Sequence, residues 1–171
     1  SAGAFPGPAC YGQGNDRPTV TDANVLLGRI NAGRPIGGKI AALDLDAAAA
    51  AIRKHVGEPL GLNDLDAAEA IIRVANSRMA GAIRLVSIER GHDPRKFTAM
   101  PFGGGGALHT GALVHEVGLA GALVPRFPGV TSAIGCVIAD MRHDFVQTLN
   151  SLPPGSTVSR PKAGTALPAP V

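Results

Sequence analysis

Apolar residues recur at three- and four-residue steps from about Val20 to Arg90, the spacing of helices laid against a core. A short helix is predicted to start at Thr21 or Asp22. It carries Val25, Leu26, Leu27 and Ile30, and the breaker-rich stretch from Asn31 to Gly38 ends it. A second begins at Asp44 or Asp46. There Leu45, Ala48, Ala49, Ile52 and Val56 recur at helical spacing, and Gly57 and Pro59 stop the helix. The longest runs from Asn63 to Arg90, roughly 40 Å at ~1.5 Å per residue. One of its seams is large (Leu65, Ile72, Met79, Val86) and the other is all Ala (Ala68, Ala75, Ala82), so a neighbouring backbone can approach along one side.

The pattern then changes period. Residues 97–102 (FTAMPF) predict a short buried strand leading into Gly103–Gly106, followed by a helix from Ala107 to Glu116. Ala122–Val124 predicts a strand, residues 131–139 a small-residue helix, and Arg142–Leu149 a final strand. Helices and strands alternating at this spacing predict an α/β architecture with crossover helices. Beyond Asn150 the periodicity stops. Residues 151–171 hold five prolines and are expected to be a disordered Pro/Ala/Ser-rich tail, leaving residues 1–150 as the domain.

Composition narrows the class. Of the 171 residues, 45% are hydrophobic and 4% aromatic, with no Trp, 23 Gly and 14 Pro, so packing must rest on aliphatic groups and closely approaching backbones. The net charge of +3 is not gathered into a basic stripe with stacking aromatics, so no nucleic-acid partner is expected. No stretch approaches the ~18 uninterrupted apolar residues of a membrane span, and the N-terminus lacks a basic segment followed by an apolar one. Cys10 and Cys136 do not make a disulfide framework, which points to a reducing, cytoplasmic setting. The chain also begins without Met in a Gly/Pro-rich turn, so it is expected to be a segment of a longer polypeptide.

The strongest chemical signal is Phe102-Gly103-Gly104-Gly105-Gly106-Ala107-Leu108-His109, between a strand and a helix. Glycines let the backbone turn sharply and lie flat against a ligand, while N–H groups of the following helix present partial positive charge. The arrangement suits the phosphates or adenosine of a nucleotide; a tight turn with no ligand is the alternative. Leu108 stands where the dinucleotide fingerprint needs its last glycine, so that motif is excluded. Gly33–Ile40 imitates a P-loop but has Ile40 in place of the Mg²⁺-binding hydroxyl. His115-Glu116 opens a zinc-protease pattern that Leu119 breaks. His92 and His143 are expected to be structural. His109, in the first turns after the glycine loop, is placed to reach a phosphate or a neighbouring domain. Cys10, with no adjacent base to activate it, is expected to pack.

Together these segments resemble the nucleotide-binding subunits of the hydantoinase/oxoprolinase family. The resemblance is carried by Gly7-Pro8-Ala9-Cys10-Tyr11-Gly12, Pro18 to Asn24 with Leu27-Gly28-Arg29, and Val74-Ala75-Asn76 with Met79, Ile83 and Arg84. It continues through Glu89-Arg90-Gly91, Asp93-Pro94-Arg95, the glycine loop to His109, Val124-Pro125, Pro128-Gly129-Val130, Ala139-Asp140 and Arg142-His143-Asp144. It implies part of an actin-like ATPase domain of the acetate/sugar kinase type, with a mixed sheet, crossover helices and a helical insertion. The segment would be the C-terminal portion of the hydantoinase domain, with Gly103, Gly104, Gly105 and Gly106 on the adenosine side of an ATP site. Asp22 and His109 would lie near the cleft or a partner interface. The implied activity is ATP-dependent opening of a cyclic amide such as hydantoin or 5-oxoproline, with Mg²⁺ accompanying ATP and a partner hydrolase subunit. Ketone carboxylation and a non-catalytic remnant or assembly module are the alternatives. The family's phosphate-binding turns of DxGGT type are absent from these residues, so the segment alone is expected to be inactive, with its catalytic residues elsewhere.

Overall fold

The computed structural model describes residues 3, 5–34 and 42–140. The predicted strand at 142–149, the tail at 151–171, His143 and most of the P-loop-like stretch lie outside them. Apart from Ala139 and Asp140, the described residues belong to one unit, Ser1–Ile138.

Helix α1 spans Val20–Leu26. Its cap is Thr19 rather than Thr21 or Asp22. Thr19 and Asp22 form a reciprocal capping box, with Asp22 as its third helical residue. Helix α2, Leu45–Ile52, is capped by Asp44, whose side chain accepts from the Ala47 N–H at 2.8 Å. The expected stop at Gly57 and Pro59 does not occur. The helix widens through Arg53–Gly57, where the Glu58 N–H reaches back to the Arg53 carbonyl, and a short α3 follows at Glu58–Leu60. Pro59 lies in the first turn of α3, just after the widened segment.

Helix α4, Asp64–Val86, starts where the periodicity does, with Asn63 as its cap. It ends earlier than expected, at Ser87, and Ile88–Arg90 form a separate tight turn. The predicted seams hold only in part. Ala68, Ile72, Asn76 and Ala80 make the buried stripe, while Leu65, Ala82 and Val86 are exposed. The reason is that α4 packs first on α1 and α2 and later on α5, so its buried face turns along the helix.

The core lies at the junction of α1, α2 and α4. Ala23, Ile52, Ala67, Ala68 and Ile72 form one buried cluster; Cys10, Val25, Leu43 and Ala48 form a second beside it. Ala side chains let these backbones come close, and in the turn that leads into α4 a Cβ on Gly57 would stand 3.0 Å from the Leu62 carbonyl oxygen.

The second half supplies the α/β element. Strand β1 (Thr98–Ala99) pairs in parallel with β2 (Gly121–Ala122), Thr98 opposite Gly121, and α5 (Gly106–Val117) is the crossover between them. The sheet among the described residues is therefore parallel, not mixed. Strand β1 is shorter than predicted, and Pro101, inside the predicted run, cannot donate to a ladder; β2 begins one residue before its predicted start and ends at Ala122. A tight turn at Pro128–Val130 leads into α6, Thr131–Ile138. Many large apolar side chains here are exposed, among them Met100, Phe102, Leu123, Phe127 and Val137.

Candidate functional site

The four glycines sit where the sequence places them, between β1 and the first turn of α5. Gly103 takes φ +84°, a conformation that strains any side chain, and its N–H donates to the Pro128 carbonyl at 2.8 Å. Gly104 and Gly105 are exposed, and a Cβ on either would meet no atom within 4 Å. Gly105 caps α5 without a side-chain acceptor, so no side chain competes for the N–H groups of the helix's first turn. The loop thus offers an open backbone surface to a flat or anionic ligand.

His109 does not face outward from this loop. It is buried on α5, and its Nδ1 lies 2.7 Å from Oδ1 of Asn76 on α4, 33 residues away. Burial, and secondarily the charge of Arg29, hold the imidazole below its ordinary pKa of 6.5. The ring is neutral at pH 7, and Nδ1–H donates to the Asn76 oxygen. Arg84 makes a second tie between these helices, donating from its guanidinium to the Glu116 carbonyl near the end of α5. Sequence reasoning passed over Asn76 in this role. The available signal was a polar residue on the 68–72–76–80 stripe, where an apolar one belongs.

A pH effect follows from His109. Its depressed folded pKa means that the unfolded chain takes up a proton first, so stability present above pH 6.5 declines as pH falls below 6.5 toward the folded value. His109→Asn, which cannot titrate, is expected to lose less urea resistance between pH 7.5 and pH 5 than the parent chain. Equal losses in the two proteins would refute this.

Asp22 is fully buried on α1. Oδ2 accepts from Thr19 N–H (2.7 Å), Thr19 Oγ1 (2.7 Å) and Ala9 N–H (3.2 Å), while Oδ1 accepts from Cys10 N–H at 2.8 Å. The carboxylate is engaged by its own chain, and it pins the Ala9–Tyr11 turn to the start of α1. Beside these segments opens a cavity of about 840 Å³ lined by Tyr11, Asn15, Arg17, Thr19, Thr21 and Ile71. Cys10 is buried too, and burial, followed by the hydrogen bond and charge of Asp22, pushes its thiol up to about 12. It stays protonated and packs, as expected of it. Cys136 is a free, exposed thiol.

Among the described residues no three His, Cys, Asp or Glu side chains converge as a metal-binding group, and no helix is long and apolar enough to cross a membrane. The arrangement leaves backbone groups open to a ligand at the glycine loop.

Comparison with known proteins decides the class. The hydantoinase/oxoprolinase family profile matches residues 1–145. The chain belongs to this family. It is 45% identical over 149 residues to the caprolactamase subunit alpha of Pseudomonas jessenii, covering 87% of this chain and 21% of that one. It is 38% identical over 148 residues to the acetophenone carboxylase gamma subunit of Aromatoleum aromaticum, covering 86% and 20% respectively. The crystal structure of the ATP-dependent caprolactamase from Pseudomonas jessenii superposes with a TM-score of 0.75 at 45% identity, over 84% of this chain and 20% of that chain. The chain therefore spans about a fifth of these relatives. Within the family it is a helix-rich piece with a small parallel sheet, compatible with an α/β class.

Proposed function

We propose that this segment works within an ATP-dependent subunit that opens cyclic amides, with Gly103–Gly106 forming the adenosine side of the nucleotide site. The reading rests on the exposed glycine loop, open at Gly104 and Gly105, in a chain 45% identical to an ATP-dependent caprolactamase. Bound ATP would supply the phosphoryl group that activates the amide carbonyl for hydrolysis. This chain's part is to present backbone N–H groups from the start of α5 and a surface free of side chains. Asp22 contributes by holding together the turn and helix start that line the neighbouring cavity. The surrounding architecture we assign is that of an actin-like ATPase, completed by polypeptide beyond these residues. Turnover belongs to that assembly, together with a partner hydrolase subunit, in the cytoplasm, where two free thiols are at home. Among the described residues no carboxylate cluster stands ready to hold Mg²⁺.

Gly104→Ala tests the reading cleanly, because the added methyl meets nothing in the fold. In the assembled enzyme it is expected to weaken ATP binding about tenfold, or ~1.4 kcal/mol, with stability held within about 0.5 kcal/mol. Unchanged ATP affinity in both Gly104→Ala and Gly105→Ala would overturn it. A second reading, ketone carboxylation, is favoured by the likeness to a carboxylase subunit. ATP consumption stimulated by a lactam without bicarbonate supports the first; a requirement for ketone plus bicarbonate supports the second.

A further inference from the structure

We propose that Asn76 and His109 are positioning residues that fix the rotation of α5 and so aim the glycine loop, an inference resting on that loop being the nucleotide contact. The loop has few anchors of its own. Gly103 is tied to Pro128 and the Gly105 carbonyl accepts from the Leu108 N–H of the same helix, but a Cβ on Gly104 or Gly105 would meet no atom, and Gly105 lends α5 no side-chain cap. The buried residues of α5 are His109 and Thr110 near the loop and Val117 at the far end. Thr110 spends its hydroxyl on the Gly106 carbonyl of its own helix. The His109–Asn76 bond therefore carries the directional link from the loop end of α5 to α4. Asn76 stands one turn beyond Ile72, which is seated in the core. The chain of support runs from core to Ile72, across Asn76 to His109, and on to the glycines.

An apolar pair at this contact would pack but would not set an angle. A hydrogen bond is directional, and a buried donor and acceptor have strong reason to stay paired. The pair thus restricts α5 to one rotation in a way that Leu against Leu does not.

Three variants separate positioning from plain packing. In His109→Asn the amide nitrogen stands two bonds from Cβ, as Nδ1 does, so the donor is kept. In His109→Gln it lies one bond further and the donor is misplaced. The double variant Asn76→Leu with His109→Leu restores packing without direction. By amide hydrogen exchange on the full chain without nucleotide, His109→Gln and the double variant are expected to speed exchange at residues 103–109 at least about tenfold, while α1, α2 and the first half of α4 keep their protection. His109→Asn should return the parent pattern. In the assembled enzyme the same two variants should raise KM for ATP several-fold with kcat little changed. Parental exchange at residues 103–109 in the double variant would overturn the proposal. So would loss of protection spread evenly over the whole fold, and failure of His109→Asn to rescue. The exchange experiment needs no ATP, so it stands even where Gly104→Ala shows that the nucleotide reading fails; positioning would then be of an unliganded loop, and the deeper claim would fall with that reading.

Discussion

Asp22→Ala is expected to lower the melting temperature by roughly 10 °C or more and to release the Ala9–Tyr11 turn from α1. The carboxylate is fully buried and accepts from three backbone N–H groups and one hydroxyl, spread over two segments of the chain. Alanine leaves the donors of Ala9, Cys10 and Thr19 without their partner. Each unsatisfied buried donor costs about 1–3 kcal/mol, and the sum is not additive, so a loss on the order of 3–5 kcal/mol follows. For a unit of this size each kcal/mol is worth about 3–4 °C. Asp22→Asn should fall between. Its remaining oxygen can serve the three donors that meet at Oδ2, but its NH₂ group then faces the Cys10 N–H. Circular dichroism melting of the three proteins decides the matter. A shift under about 3 °C for Asp22→Ala would show that the network is dispensable.

Ile52→Ala is the other large effect, with an expected loss of about 3–5 kcal/mol in urea unfolding, against ~1 kcal/mol for Ile52→Val. Ile52 is fully buried, and three of its four buried cluster mates, Ala23, Ala67 and Ala68, have side chains of a single methyl. A methyl cannot swing into a void. The larger neighbours, Val20, Leu26, Leu27, Val56 and Ile71, pack against the cluster from its partly buried edge. The hole left by truncation should therefore persist, placing the cost in the upper part of the usual range. A loss below about 2 kcal/mol would mean that the helices do slide to fill it.

Local chemistry was the legible part of this chain. The helix start at Asn63 and the choice between Asp44 and Asp46 were legible because a cap is decided within three residues of itself, and the glycine run announced its turn for the same reason. Thr19 was missed as a cap because Asp22, an equally good capping type, stands three residues later and serves as the reciprocal member instead. Strand β1 falls inside its expected run and β2 starts one residue before its own, since their extent is settled by the pairing of residues 98–99 with 121–122 across a crossover; the strand expected at 142–149 lies outside the described residues. The His109–Asn76 bond bridges 33 residues, and no periodicity in either helix reports which faces will meet. Asp22 was singled out for a cleft; its hydrogen bonds run to a turn more than ten residues upstream, which sequence neighbours do not reveal.

The two buried clusters draw all their members from the stretch between Cys10 and Ile72. Every member of this core is therefore synthesised before β1, α5 and β2. Domains fold as units during synthesis, and contacts close in sequence form fast. The glycine loop belongs to the later-made part of the chain, and the second half of α4, through Asn76 and Arg84, is the surface on which α5 docks.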